Sequence, residues 1–201
     1  MSPRSAVRRL GGVLVLLLLG LLALHKSTQI QTDIWIERPP ADVWQILTAT
    51  GEYPSWNPFI RRMRGELRPG SRIEIEIAPP DSNAMTFRPI VITVQRDREI
   101  RWLGSFWIRG IFDGEHSLRL ESDGGRTHLI QAERFSGLLV GKLSDSILRK
   151  TQRGFVAMNE ALKERAESHS TKCGWSLCFR RQDVRANSSR RLEVCEQLSL
   201  L

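Results

Sequence analysis

Residues Leu143, Ile147, Thr151, Phe155, Met158 and Leu162 follow one another at spacings of four, four, four, three and four. Those spacings draw one apolar stripe along a helix of roughly six turns, ending near Ala166. Ser144, Asp145 and Ser146 suit its first turn, and Lys163 and Arg165 its last. Almost everything between residue 30 and this helix reads as strand. A lone striped helix and a sheet with one apolar face must cover each other, because neither can bury its face alone.

The strands carry period-two alternation. "IQTDIWIE" (30–37) puts Ile30, Thr32, Ile34 and Ile36 on one face. Pro39 and Pro40 end it. Asp42 is expected to cap a short helix carrying Val43, Trp44, Ile46 and Leu47, which Gly51 stops. Residues 60–67 and "RIEIEIA" (72–78) pair across a Pro-Gly turn, and "PPDSNA" (79–84) is a loop. "MTFRPIVITVQ" (85–95) and "IRWLGSFWI" (100–108) flank the turn "RDRE". "HSLRLES" (116–122) and "THLIQAERF" (127–135) meet across "DGG". The expected architecture is α+β: a curved seven-stranded antiparallel sheet wrapped around the long C-terminal helix, with a cavity between the two.

Both ends of the chain differ from this middle. "MSPRSAVRR" is a positive segment followed by fifteen apolar residues, Leu10 to Leu24. The run has no polar face, so it reads as a hydrophobic helix that anchors the chain in a membrane. Ala23 could precede a cleavage site, which would make the protein secreted, but Leu21 suits the −3 position poorly. Arg4, Arg8 and Arg9 ahead of the run place the N-terminus in the cytoplasm and the domain on the extracytoplasmic side. Residues 169–201 show no sustained period and read as a poorly ordered basic tail. The tail holds Cys173, Cys178 and Cys195, at spacings unlike a metal site. The chain therefore divides into an anchor or signal segment (1–29), a domain (30–168) and a tail (169–201).

The net charge of +8 does not point to nucleic acid. Residues 30–168 hold 20 basic and 19 acidic side chains, so the excess sits at the two ends. Nucleic-acid binding needs a clustered basic face. No phosphate loop, metal constellation or serine-centred triad is present, and no cofactor is expected.

"EYPSWNPFI" (52–60) places Tyr53, Trp56 and Phe59 in a segment that Pro54 and Pro58 keep out of long regular structure. Together with "IERPPADVWQILTATG", "RPGSRIEIEI", "FRPIVITV", "IRWLGSF", "FDGEHSLRLE", "ERFSGLL" and "TQRGFVAMNEALKERAE", it resembles the START/Bet v 1-type helix-grip superfamily. The match is to the polyketide cyclase/dehydrase-like branch of SRPBCC proteins, and it covers residues 30 to 167. The resemblance implies a cavity between sheet and helix that takes a hydrophobic small molecule, a lipid or a polyketide-like compound. It implies that the Trp-Asn-Pro segment closes one end of that groove, as a plug or as a gate, with Asn57 making an Asx turn.

Expected lining residues are Trp56, Phe59, Phe87, Trp102, Phe106, Leu118 and Leu129, with Ile147, Thr151, Phe155 and Met158 from the helix stripe. His116, His128 and Glu133 are the acid–base groups of the second half. His116 shares strand parity with Leu118 and Leu120, and an Arg such as Arg88 or Arg101 is the expected partner of Glu133. The main expectation is a membrane-tethered binding or carrier domain rather than an enzyme. The alternatives are a cyclase or dehydratase using His116 or Glu133, and a structural or partner-binding domain with a filled core.

Overall fold

The computed structural model describes Gly20 and residues 25–105, 108–143 and 145–168. The chain divides into Met1–Glu167 and Ser168–Leu201, and the first unit is described here. The apolar run, apart from Gly20, and the tail with its three cysteines lie outside the described residues. Among the described residues no helix is long and apolar enough to cross a membrane.

Strand β1 (Lys26–Ile36) buries Ile30, Thr32 and Ile36 and exposes Gln31, Asp33 and Trp35, the alternation its residue types dictate. Helix α1 (Pro40–Thr48) begins with Pro40 in its first turn and Pro39 as N-cap. Asp42 is therefore not the cap. The fixed φ of proline presets the helix start three residues earlier, and Asp42 pairs with Arg38 instead. A 3-10 turn (Thr50–Glu52) leads to the one-turn helix α2 (Tyr53–Trp56).

Seven further strands follow: β2 (Ile60–Arg64), β3 (Glu74–Ile77), β4 (Met85–Phe87), β5 (Ile90–Gln95), β6 (Glu99–Ser105), β7 (Asp113–Asp123) and β8 (Arg126–Gly137). A 3-10 turn (Val140–Lys142) then delivers the chain to helix α3 (Asp145–Ser168).

The single seven-stranded sheet is replaced by eight strands in two antiparallel sheets, β1-β8-β7-β6-β5 and β2-β3-β4. The cause lies within 85–95. Pro89 has no N–H to donate, so the segment breaks there. β4 stays with β3, Phe87 opposite Ile75, while β5 turns to β6, Ile90 opposite Leu103. Three backbone bonds stitch the sheets at the break: Ile73 N–H to the Pro89 carbonyl at 3.0 Å, Gly70 N–H to Val91 at 2.8 Å, and Val91 N–H to Ser71 at 2.9 Å.

Register fixes the rims of the five-stranded sheet. Ser27 lies opposite Ser136, Ser136 opposite Asp113, and Asp113 opposite Ser105. The start of β1, the end of β8, the start of β7 and the end of β6 thus form one rim, and α3 begins just beyond it.

The inward face of the sheet supplies Ile36, Ile100, Leu118 and Leu129, and α3 supplies Phe155, Met158, Leu162 and Ala166. Each such side chain contributes about 1.5–3 kcal/mol of transfer free energy before entropy is subtracted.

Polar latches hold α3 in register. Lys163 donates to the Trp35 carbonyl and to Glu167, both at 2.7 Å, and Glu37 N–H donates to Glu167 at 2.8 Å. Burial opposes ionisation of Glu167, but these two donors outweigh it and hold the carboxyl below its usual range. Nearer the helix start, Lys150 donates to the Asp81 carbonyl at 2.7 Å and Arg153 to its carboxylate at 3.0 Å. The loop between β3 and β4 is thereby clasped to the helix.

Candidate functional site

Cross-strand pairing sets His116 of β7 directly opposite Glu133 of β8. Leu118, Leu120, Leu129 and Gln131 lie at the same parity, and all are buried. His116 is only 4% exposed. Its Nδ1 lies 2.7 Å from Glu133 Oε2. Its ring stacks on Trp102 at 4.5 Å and 7°, and meets the edge of Phe155 at 5.0 Å and 84°. Strand β7 makes room for the carboxylate with Gly114, where a Cβ would stand 2.5 Å from Glu133 Oε1.

Behind this pair, Gln131 Nε2 lies 3.3 Å from His116 Nε2 and donates to Met158 Sδ at 3.5 Å. Asn159 Nδ2 donates to Thr32 Oγ1 at 3.0 Å. The carbonyl oxygens of Gln131 and Asn159 are buried without a partner among the described residues. Such acceptors cost about 1–3 kcal/mol each when left unsatisfied.

The network defines what this cluster can do. With the Gln131 amide donating to Nε2, the His116 Nδ1–H donates to the Glu133 carboxylate. A half-turn of the amide would present its oxygen to Nε2–H and let both ring nitrogens donate. The cluster can therefore pair both ring nitrogens in either orientation of the Gln131 amide. It is a polar spot inside an apolar layer, placed between the sheet and the middle of α3.

The other expected residues distribute unevenly. Trp102, Leu118, Leu129, Phe155 and Met158 are buried around the cluster. Asn57 Oδ1 accepts from Phe59 N–H at 3.0 Å and Ile60 N–H at 2.8 Å, so the Asx turn is present. It drives Phe59 against Phe155, edge to face at 5.3 Å, and against the bare Cα of Gly154. Trp56 is half-buried against the core and edge-on to Tyr53. Thr151 is half-buried and donates to the Ile147 carbonyl at 3.0 Å. Phe106 lies outside the described residues.

Phe87 and Ile147 are 42% and 49% exposed rather than enclosed. Phe87 faces inward with its buried partner Ile75, but it sits on a three-residue edge strand. Ile147 continues the Phe155 stripe into the first turn of α3. The stripe of α3 is thus buried along its second half, while Ile147 at its start and Phe87 on β4 are left exposed.

Two expectations about charge change. Glu133 is bonded to His116, while Arg88 pairs with Glu74, and Arg101 pairs with Glu99 and Glu115. Trp102 points inward, so parity sends Arg101 to the outer face. His128 is likewise outside, stacked on Trp35 at 4.5 Å and bonded to Asp33 at 2.8 Å. Gln131, Asn159 and Thr32 escaped notice as site residues. Their signal was a polar side chain at an inward position of a strand or stripe.

Two hollows open on the surface. One, of about 720 Å³, runs along the outer face of α3 past Arg149, Gln152 and Val156. The other, of about 520 Å³, lies by Arg98, Glu99 and Arg119. Neither is lined by a residue of the inward cluster. Among the described residues no group of three His, Cys, Asp or Glu could hold a metal ion.

Antiparallel sheets gripping one long C-terminal helix define a helix-grip domain of the SRPBCC type. The fold is shared with Ara h 8.0201 at a TM-score of 0.57 and 14% identity, over 71% of this chain and 99% of that one. It is shared with the ZhuI aromatase/cyclase from Streptomyces sp. R1128 at 0.54 and 19%, over 71% and 94%. Norcoclaurine synthase from Thalictrum flavum, in complex with dopamine and hydroxybenzaldehyde, matches at 0.54 and 10%, over 74% and 91%. No curated protein sequence matches the chain. The chain belongs to the polyketide cyclase / dehydrase and lipid transport family, whose pattern matches residues 27–167.

Proposed function

We propose that the domain binds a hydrophobic small molecule or lipid between the sheet and α3, and that the His116–Glu133–Gln131 cluster anchors its polar end. The observation that carries this reading is the cluster itself. Buried amide oxygens of Gln131 and Asn159 without partners lie in an apolar layer, and on this reading a ligand enters beside the exposed Phe87 and Ile147. A ligand hydroxyl or amide would satisfy them, and its apolar body would cover the two exposed side chains. Family membership and the helix-grip relatives support the same class of ligand. The reading includes tethering through Leu10–Leu24 with the domain outside the cytoplasm, supported by Arg4, Arg8 and Arg9 ahead of the run.

The test uses the full chain and a fluorescent fatty-acid probe. Thr151→Trp fills the half-buried position between Ile147 and Phe155. It should weaken probe uptake about tenfold, or about 1.4 kcal/mol of binding, in protein that circular dichroism shows still folded. Native mass spectrometry that finds no co-purified lipid, together with no probe uptake, sinks the reading.

A filled structural core is the second reading. It is favoured by Phe59 wedged against Gly154 and Phe155, and by the absence of inward residues from either surface hollow. On that reading uptake is absent in the parent chain too. A cyclase or dehydratase would need His116 Nε2 to leave Gln131 and reach substrate, and His116→Gln would then abolish turnover in protein that circular dichroism shows still folded.

A further inference from the structure

We propose that the rim formed by the start of β1, the segment 108–112 and the segment 137–143 rests on the surface of an anionic phospholipid bilayer, so that the open end of the groove faces the membrane.

The first support is chain geometry. Register aligns Ser27, Ser136, Asp113 and Ser105 on one rim. The chain enters β1 at Lys26 on that rim, and only His25 separates Lys26 from the apolar run ending at Leu24. An extended residue spans about 3.3–3.6 Å. With the run in a bilayer, the rim therefore cannot stand more than about 10 Å from the interface. Leu138 N–H donates to the Gly110 carbonyl at 3.2 Å and Leu139 N–H to Ile111 at 3.0 Å. The two loop segments are thus one surface, held further by Gly110 N–H donating to Asp113 at 2.8 Å.

The second support is what that surface carries. Ile108 is 67% exposed and Leu139 38%, an apolar pair at the loop tips. Lys26, Arg109, Lys142 and Arg149 are exposed around them. None of the four forms an ion pair among the described residues, whereas Arg62, Arg88, Arg101, Arg119 and Arg126 do. Asp145 is the exposed acid here, and Asp113 is buried and already bonded. Apolar tips ringed by unpaired cations suit an interface with anionic headgroups. Ile147, in the first turn of α3, is exposed a few residues further along the chain. A hydrophobic molecule could pass between acyl chains and groove without crossing water. The membrane contact itself does not require the groove to be filled, so it stands or falls separately from ligand binding.

The experiment reconstitutes the full chain in phosphatidylcholine vesicles, and in vesicles with about one third phosphatidylglycerol. Amide hydrogen exchange is followed in 108–112 and 137–143. Exchange there should slow several-fold on the anionic vesicles relative to phosphatidylcholine, since each basic group near the surface adds about 1 kcal/mol to the membrane contact. The turns at 96–98 and 123–126, on the opposite rim, should not change. The triple variant K26E/R109E/K142E should lose the added protection and keep its melting temperature. Equal exchange on both kinds of vesicle overturns the proposal, as does protection of the opposite rim, or protection that survives charge reversal. If the triple variant fails to fold, the comparison of parent protein on the two kinds of vesicle decides alone.

Discussion

Tyr53 is the chain's only tyrosine. It is fully buried, and its hydroxyl donates to the Leu47 carbonyl at 2.7 Å. Burial pushes the phenol well above its ordinary value. Below a pH of about 10 the group is protonated whether the chain is folded or not. Above that, the unfolded chain ionises and the folded one does not. Stability should therefore fall as pH rises past 10, by at most about 1.4 kcal/mol per pH unit from this group. Phenolate absorbance in alkali reports on Tyr53 alone. It should appear together with loss of far-ultraviolet circular dichroism, and phenolate formed in a still-folded chain would contradict the assignment. Tyr53→Phe should flatten the alkaline decline and cost about 1 kcal/mol at neutral pH for the lost hydrogen bond. His116 belongs to the same scale. Its surroundings follow from single residues: Gly114 leaves space for Glu133, and Trp102 supplies a face to stack on.

At the scale of elements, the contact between the Trp-Asn-Pro segment and α3 decides how tightly the groove closes. Gly154 is an unfavourable helix residue, costing about 1 kcal/mol relative to Ala. It is tolerated because Phe59's ring occupies the place of its Cβ. Gly154→Ala gains helix propensity but drives a methyl into a ring that the Asn57 turn prevents from retreating. The packing term, about 1–3 kcal/mol, should win and lower the denaturant midpoint. Adding Phe59→Leu should recover part of the loss. A double-mutant cycle with no coupling would show that the two side chains do not collide. Strands β4 and β5 teach a related lesson. One proline changes which sheet a segment joins, and it leaves Phe87 exposed on an edge strand.

At the scale of the whole molecule, a ligand that spans sheet and helix must bind the folded chain alone. A fatty-acid probe at one hundred times its dissociation constant should stabilise the protein by about 2.7 kcal/mol, seen as a melting temperature that climbs with probe concentration. A melting temperature indifferent to probe favours the filled core. The residue pattern by itself determined the strand faces, the hairpin turns and the inward stripe of α3. These follow from periods of two and about 3.6 residues, which are local properties of the backbone. His116 was legible on the same ground, since it shares parity with Leu118 and Leu120. Only the tertiary structure decided that Glu133 meets His116 rather than an arginine. It also decided that Gln131, Asn159 and Thr32 join the polar spot, and that Phe87 and Ile147 are left exposed. Those facts depend on register between strands and on where a helix of fixed length lies across a sheet, and both are set by packing between segments far apart in the chain.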